Sequence, residues 1–394
     1  MSFRILTLNN ISLRGLERLP RERYEVASEI GHPHGVLLRS ADMHKWPVPD
    51  SLLAVGRAGA GTNNVPVAAM SARGIPVFNA PGANANAVKE LVLASLWLSA
   101  RNICQGWDFA RGLVGDDKAL EVAVEAGKKN FVGFELPGRT LGVIGLGAIG
   151  VEVANSAIAL GMKVLGYDPQ ITVQRAWQLS SSVEQALSLD DLFARSDMIT
   201  LHVPLNDHTR GLVNAARLKL MPKGATILNF ARGPIVNEAD IVAALDAKSL
   251  NAYICDFPTN AVKGHPRVIA LPHLGASTLE AEENCAVMVA DQLRDFLENG
   301  NVRNAVNFPE AVLPRVPGTT RIAVANSNVP NMVGQISTCL AGAGINIADL
   351  LNKSRGEFAY TLIDADGPVD DALIKRIREI KGVLSARIVV GAPA

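Results

Sequence analysis

Thr140-Leu141-Gly142-Val143-Ile144-Gly145-Leu146-Gly147-Ala148-Ile149-Gly150 is the stretch whose reading decides the fold. A short apolar run enters it, three glycines follow at G-x-G-x-x-G spacing, and an apolar helical pattern over 149–160 leaves it. In a strand–turn–helix setting each glycine has its own reason. Gly145 permits the tight turn, Gly147 lets backbone approach a pyrophosphate, and Gly150 lets the helix pack closely on the strand. The unpaired N–H groups of the first helical turn, around Ala148 and Ile149, then meet phosphate charge. The next apolar run, 163–167, ends at Asp168, about where an acid bonds the ribose hydroxyls of NAD. That charge would repel a 2′-phosphate, and only Pro169 and Gln170 follow, so the expected cofactor is NAD rather than NADP.

Moving outward, apolar runs alternate with helical patterns at 140–144, 163–167, 198–202, 226–229, 251–255 and 267–270, as in a doubly wound parallel sheet. Upstream, short runs at 4–8, 35–38, 52–55 and 75–78 lie between Gly- and Pro-rich breaks, which predicts a smaller α/β unit. Helical spacing over 86–102 would carry the chain between these units, and a helix over 279–297 would return it, making the first unit discontinuous. Past Asn299 the chain reads Pro309, Pro314, Pro317, Gly318, a linker-like composition. A third module then reads strand 321–325, helix 331–341, strands 345–352 and 357–364, helix 369–381 and strand 383–390. This is the β-α-β-β-α-β order of a ferredoxin-like unit, expected to bury one sheet face and to cover an edge by pairing with a second copy.

Length and charge bound the partners. The 394 residues exceed one ordinary core, and 38 basic against 38 acidic residues give no field for nucleic acid or a membrane surface. No apolar run spans a bilayer, the N-terminus has no signal-like apolar region, and Cys104, Cys255, Cys285 and Cys339 form no C-x-x-C pair. A cytoplasmic protein without metal or disulfides is expected.

Ligands in such sheets sit beyond the carboxyl ends of the strands. After 226–229 comes Phe230-Ala231-Arg232-Gly233-Pro234, where Arg232 could clamp a carboxylate with its planar fork. After 267–270 comes Pro272-His273-Leu274-Gly275, where His273 has the near-neutral imidazole suited to exchanging a hydroxyl proton.

With Arg57-Ala58-Gly59-Ala60-Gly61-Thr62-Asn63-Asn64, Asn79-Ala80-Pro81-Gly82, His202-Val203-Pro204-Leu205, 229–238 and 272–278 added, the chain resembles the D-2-hydroxyacid dehydrogenases. It is most similar to their phosphoglycerate-oxidising branch with a C-terminal ACT domain. The resemblance implies two Rossmann-like domains plus the ferredoxin-like ACT module: residues 1–90 with 283–312 for substrate, 91–282 for NAD and 319–394 for regulation. It implies oxidation of D-3-phosphoglycerate by a homodimer or homotetramer. Arg232 would bind the carboxylate and His273 exchange the proton, while Arg57, Gly59, Ala60 and Asn84 hold substrate and Arg39 is a second phosphate candidate. Gly145, Gly147, Ala148, Ile149, Gly150, Asp168, His202, Pro204, Ala231 and Gly275 would line the cofactor cleft.

One position departs from the pattern. The family places a glutamate beside the histidine, and here that place holds Asn260, which makes Asp256 the expected orienting acid. In the tail, Asn328 and Asn346 align with positions that hold L-serine. A hydroxypyruvate or glyoxylate reductase and an NAD-sensing corepressor-like protein are the competing readings.

Overall fold

A computed structural model describes residues 2–390; Met1 and residues 391–394, the extreme ends of the first and last expected modules, lie outside the described residues. The chain forms two compact units, one of the residues up to Asn84 and from Leu279 onward, the other Ala85–Thr278. The changeovers fall at the starts of the helices Ala85–Ala100 and Leu279–Asn299, whereas the expected boundaries at 90/91 and 282/283 lie inside them.

The first unit opens with β1 (Phe3–Thr7), β2 (Tyr24–Ala27), β3 (Gly35–Leu38), β4 (Ala54–Arg57) and β5 (Val77–Phe78), all parallel, in the order β2-β1-β3-β4-β5. Strand β2 was not expected, because its Tyr-Glu-Val-Ala has no apolar run. Tyr24 anchors it, stacking on Phe3 at 5.6 Å and donating from its hydroxyl to Glu298 at 2.8 Å. Helix Leu279–Asn299 covers this sheet closely enough that a Cβ on Gly56 would come within 2.7 Å of Val289.

The second unit holds β6 (Thr140–Ile144), β7 (Lys163–Tyr167), β8 (Glu184–Gln185), β9 (Met198–Leu201), β10 (Ala225–Asn229), β11 (Leu250–Cys255) and β12 (Val268–Ala270). They pair in parallel in the order β12-β11-β10-β9-β6-β7-β8. The order reverses between β6 and β9, the switch point at which such sheets open a ligand crevice. Strands β9 and β10 are buried along their whole length, as strands covered on both faces must be.

The tail comprises β13 (Thr320–Ser327), β14 (Asn346–Arg355), β15 (Phe358–Asp366) and β16 (Val383–Val389), antiparallel in the order β14-β15-β13-β16, with helices Met332–Ala341 and Asp371–Arg378. The expected β-α-β-β-α-β order holds, but the expectation of one buried face does not. Ile322 and Val324 of β13 face the tail's own helices, while Ala323 and Ala325 join Phe296, Phe308 and Tyr360 in the core of the first unit. The Pro-rich stretch is likewise packed rather than free, with Phe308 and Ala311 buried.

Polar bonds fix this docking. The last carbonyls of an α-helix have no intrahelical partner, and here the tail supplies them. Arg387 donates to the carbonyls of Phe296 (2.5 Å) and Leu297 (3.4 Å), Arg315 to that of Glu298 (3.4 Å), Arg321 to that of Asn299 (3.2 Å), and the Tyr360 hydroxyl to that of Gly300 (2.9 Å). Arg321, fully buried, uses the rest of its fork on Leu313, Pro314 and both carboxylate oxygens of buried Asp364. All five guanidinium N–H groups are thereby bonded, the condition under which a buried ion pair is tolerated.

Truncation after Pro317 should therefore lower the melting temperature of the first unit by roughly 10 °C or more, since several apolar side chains lose cover worth ~1.5–3 kcal/mol each. Calorimetry of the truncated and intact chains measures this, and equal melting temperatures would show the tail to be an independent appendage.

Candidate active site

Sterics explain the glycine turn position by position. Gly145 has φ +91°, and a Cβ there would sit 2.6 Å from the His202 carbonyl oxygen; at Gly150 it would come within 1.9 Å of the Gly145 oxygen. At Gly147 it would meet nothing within 4 Å, so backbone beside the first turn of helix Ala148–Ala159 faces open space. The Asp168 carboxylate, at the end of β7, accepts from the Leu146 amide at 2.8 Å and the Gln170 amide at 2.9 Å, which pins the turn. Two of its roughly four acceptor directions stay available. A cavity of about 430 Å³ adjoins it, bounded by Leu146, Tyr167, Asp168, Ile171 and Leu187 among others. A turn open at Gly147, a free helix N-terminus and an acid beside a half-apolar cavity fit a dinucleotide.

Arg232 follows β10 in extended conformation, its side chain exposed and, among the described residues, hydrogen-bonded to the Ala231 carbonyl at 2.6 Å. The turn that carries it is held from inside. Asn229, fully buried, accepts from the Ala231 amide (3.2 Å) and donates to the Arg232 carbonyl (3.0 Å). Sequence reading passed over Asn229 because it looks like a strand terminus; an amide ending an otherwise apolar run was the available signal.

His273, just beyond β12, is exposed and has φ +56°, a conformation that costs a non-glycine residue of order 1 kcal/mol. Its ring lies 5.2 Å from that of Phe257. Asp256 is 1 % exposed and does reach this segment, but not by the expected route. Its two oxygens accept from the backbone amides of Leu274 and Gly275, each at 2.7 Å, and its carbonyl from the His273 amide at 3.1 Å. The carboxylate thus holds the loop rather than the imidazole, because two amides facing a buried strand end satisfy it better than a solvated ring. Asn260 is exposed, and among the described residues no carboxylate pairs with the His273 ring.

His202 follows β9 directly, its Nε2 2.9 Å from the Thr200 hydroxyl, and burial pushes its pKa down to about 3. It stays neutral near pH 7. Pro204 is exposed just beyond it.

In the first unit, Arg57 ends β4 and folds over its own loop. A Cβ on Gly59 would come within 1.7 Å of the guanidinium, which would have to move, and the φ of +149° would strain any residue but glycine. Ala60 is exposed on that loop, and its carbonyl accepts from Asn79 at 2.6 Å. The Asn84 side-chain oxygen is buried without a hydrogen-bond partner. Arg39 forms an ion pair with Glu282 at 2.6 Å. In the tail, Asn326, Asn328, Asn331 and Asn352 surround a cavity of about 160 Å³, whereas Asn346 lies at the far end of β14 and does not line it.

Residues 104–275 match the NAD binding domain of the D-isomer specific 2-hydroxyacid dehydrogenases. The chain is 34% identical over 349 residues to the D-3-phosphoglycerate dehydrogenase of Haemophilus influenzae, covering 86% of this chain and 81% of that one. It is 36% identical over 352 residues to that of Methanocaldococcus jannaschii, covering 87% of this chain and 61% of the relative. Among solved structures, the NAD⁺-bound 3-phosphoglycerate dehydrogenase of Entamoeba histolytica matches with a TM-score of 0.61 at 26% identity, covering 78% of this chain and 99% of that one. Fold and glycine turn together define a dinucleotide-dependent oxidoreductase. The chain belongs to the D-isomer specific 2-hydroxyacid dehydrogenase family, and its cofactor is NAD. No helix among the described residues is long and apolar enough to cross a membrane, and no group of side chains there could hold a metal.

Two outcomes test the cofactor end. Gly150→Ala should lower the melting temperature, because its Cβ must displace backbone. Gly147→Ala should leave the melting temperature unchanged yet weaken NADH binding at least tenfold, read by fluorescence titration. If Gly147→Ala binds NADH normally, the open turn is not the pyrophosphate seat.

The His202 shift also carries a sign. The folded value lies far below the ordinary 6.5, so the unfolded chain takes up a proton that the folded chain refuses. Stability is complete above pH 6.5 and falls toward pH 3, by up to ~1.4 kcal/mol per pH unit. Between pH 7.5 and 5, wild type should lose about 4–8 °C more in melting temperature than His202→Gln; parallel curves would refute the assignment.

Proposed function

We propose that the chain oxidises D-3-phosphoglycerate to 3-phosphohydroxypyruvate with NAD, the first step of the phosphorylated route to L-serine, in the cytoplasm. The observation that carries this reading is the placement of Arg232 and His273 beyond the carboxyl ends of β10 and β12, on either side of β11, in the sheet that bears the glycine turn.

When bound, NAD would supply the hydride acceptor for the substrate's C2 carbon. Arg232, with no carboxylate among the described residues competing for its fork, binds the substrate carboxylate in two parallel bonds and polarises the reacting carbon. His273 takes the hydroxyl proton as the carbonyl forms and returns it in the reverse direction. Asp256 keeps the His273 loop in its strained turn. Gly59 and Ala60 offer backbone amides to the carboxylate, Asn84 supplies its unpartnered oxygen to a substrate hydroxyl, and Arg57 with Arg39 receives the phosphate. Gly145, Gly147, Ala148, Ile149, Gly150 and Asp168 hold the pyrophosphate and ribose, and His202, Pro204, Ala231 and Gly275 line the nicotinamide end.

The tail is read as an ACT module. Its asparagine-lined cavity around Asn328 would take L-serine as an inhibitory effector, and Asn346 would serve a second copy across the open edge of β14 in a homodimer or homotetramer. A hydroxypyruvate or glyoxylate reductase would need neither the phosphate-binding cations nor this tail.

NADH formation from D-3-phosphoglycerate, D-glycerate, D-lactate and 2-hydroxyglutarate at matched concentrations tests the reading. D-3-phosphoglycerate should be preferred by at least tenfold in kcat/KM, and Arg232→Lys should lower that value by roughly 100-fold or more through loss of the planar fork. L-serine added to the same assay should lower the rate in the intact chain. Preference for D-glycerate would favour the reductase, and no turnover of any acid would favour a sensor.

A further inference from the structure

We infer that Asn229 is a positioning residue for this reaction, joined to Asp256 in one hydrogen-bonded frame that fixes Arg232 and His273 relative to each other. The inference rests on the roles proposed above for those two side chains, though not on which 2-hydroxy acid is oxidised.

Asn229 closes β10 with no exposure at all, and both its amide nitrogen and its amide oxygen are bonded. The oxygen accepts from the Ala231 amide; the nitrogen donates to the Arg232 carbonyl and, at a longer 3.4 Å, to the Tyr253 hydroxyl. Its main-chain carbonyl accepts from the Asp256 amide at 3.2 Å on the neighbouring strand end. Asp256 in turn accepts the amides of His273, Leu274 and Gly275. Two buried residues therefore link the peptide that bears the carboxylate clamp to the peptide that bears the base.

An asparagine serving stability alone would spend its amide on any nearby strand. Here two of its three side-chain partners are peptide groups flanking the reactive arginine. The chain also has particular need of such a frame. With Asn260 where the family has an acid, no carboxylate among the described residues pairs with the imidazole, so its placement comes from the backbone that Asp256 holds. A misplacement near 1 Å between clamp and base is enough to slow a reaction by about two orders of magnitude.

The test uses the full-length enzyme with whichever of the four acids above wild type oxidises fastest. Four variants are compared: Asn229→Ala, the nearly isosteric Asn229→Asp, Asp256→Asn, and Asn229→Ala with Asp256→Asn. Each single variant should lower kcat/KM by roughly 10- to 100-fold, with raised KM for the acid and NADH affinity within twofold of wild type. Asn229→Asp should fail with the alanine variant even where its melting temperature is preserved, because it keeps the acceptor and loses the donor to the Arg232 carbonyl. The double variant should fall no more than threefold below the worse single one, as members of one frame do. An Asn229→Asp enzyme within twofold of wild type, or single effects that multiply in the double variant, would overturn the inference. If wild type oxidises none of the four acids, the substrate reading fails by itself. The frame is then read from the ring proton resonances of His273, which shift in Asn229→Asp if it exists and stay in place if it does not.

Discussion

A carboxylate taken out of water has to be met by donors, and the donors Asp256 finds decide the shape of the catalytic end. Its oxygens close on the amides of Leu274 and Gly275, and this in turn holds His273 in a left-handed turn that the residue would not adopt alone. The strain is local and the compensation lies next to it. Because β11 runs between β10 and β12, the main-chain amide of Asp256 also donates to the carbonyl of Asn229, so the turns bearing Arg232 and His273 meet at one strand end. Neither reactive side chain is itself buried. Their precision comes from the peptide groups behind them.

The glycine turn obeys a different constraint. Gly145 and Gly150 are fixed by contact with neighbouring backbone, and Gly147 by emptiness. Fold and binding thus ask for glycine at one motif for separate reasons, and a sequence pattern registers both without distinguishing them. Asp168 serves the two purposes together, tying the turn through Leu146 while keeping acceptor directions for a ribose.

Much of this was legible in the sequence. Parallel strands covered on both faces read as uninterrupted apolar runs, which is why β6, β7 and β9 to β12 could be placed, and the tail's element order followed from its alternating periods. What failed to show had physical reasons. β2 and β8 are edge strands of mixed composition, with Tyr24 stacked on Phe3 and β8 only Glu184–Gln185. The second buried face of β13 rests on alanines, whose modest size gives little periodic signal, and the arginines that seal the helix end could as well have been surface charges. Asp256 was picked out as an acid near the base, but only coordinates show a carboxylate spent on amides. Asn229 escaped notice because its work is done entirely by a neutral side chain at a strand end.

The sealing of helix Leu279–Asn299 by Arg315, Arg321, Tyr360 and Arg387 bears on the order in which the chain can fold as it is made. Residues 85–278 form one uninterrupted stretch and can close their sheet as soon as they have emerged. The first unit cannot. Its five strands precede the helix that covers them by some two hundred residues, and a further cap on that helix comes from β16, later still in the chain. The parallel sheet of the first unit is thus completed only by residues far downstream of its strands. Until those residues emerge from the ribosome, a nascent chain holds this sheet without its seal.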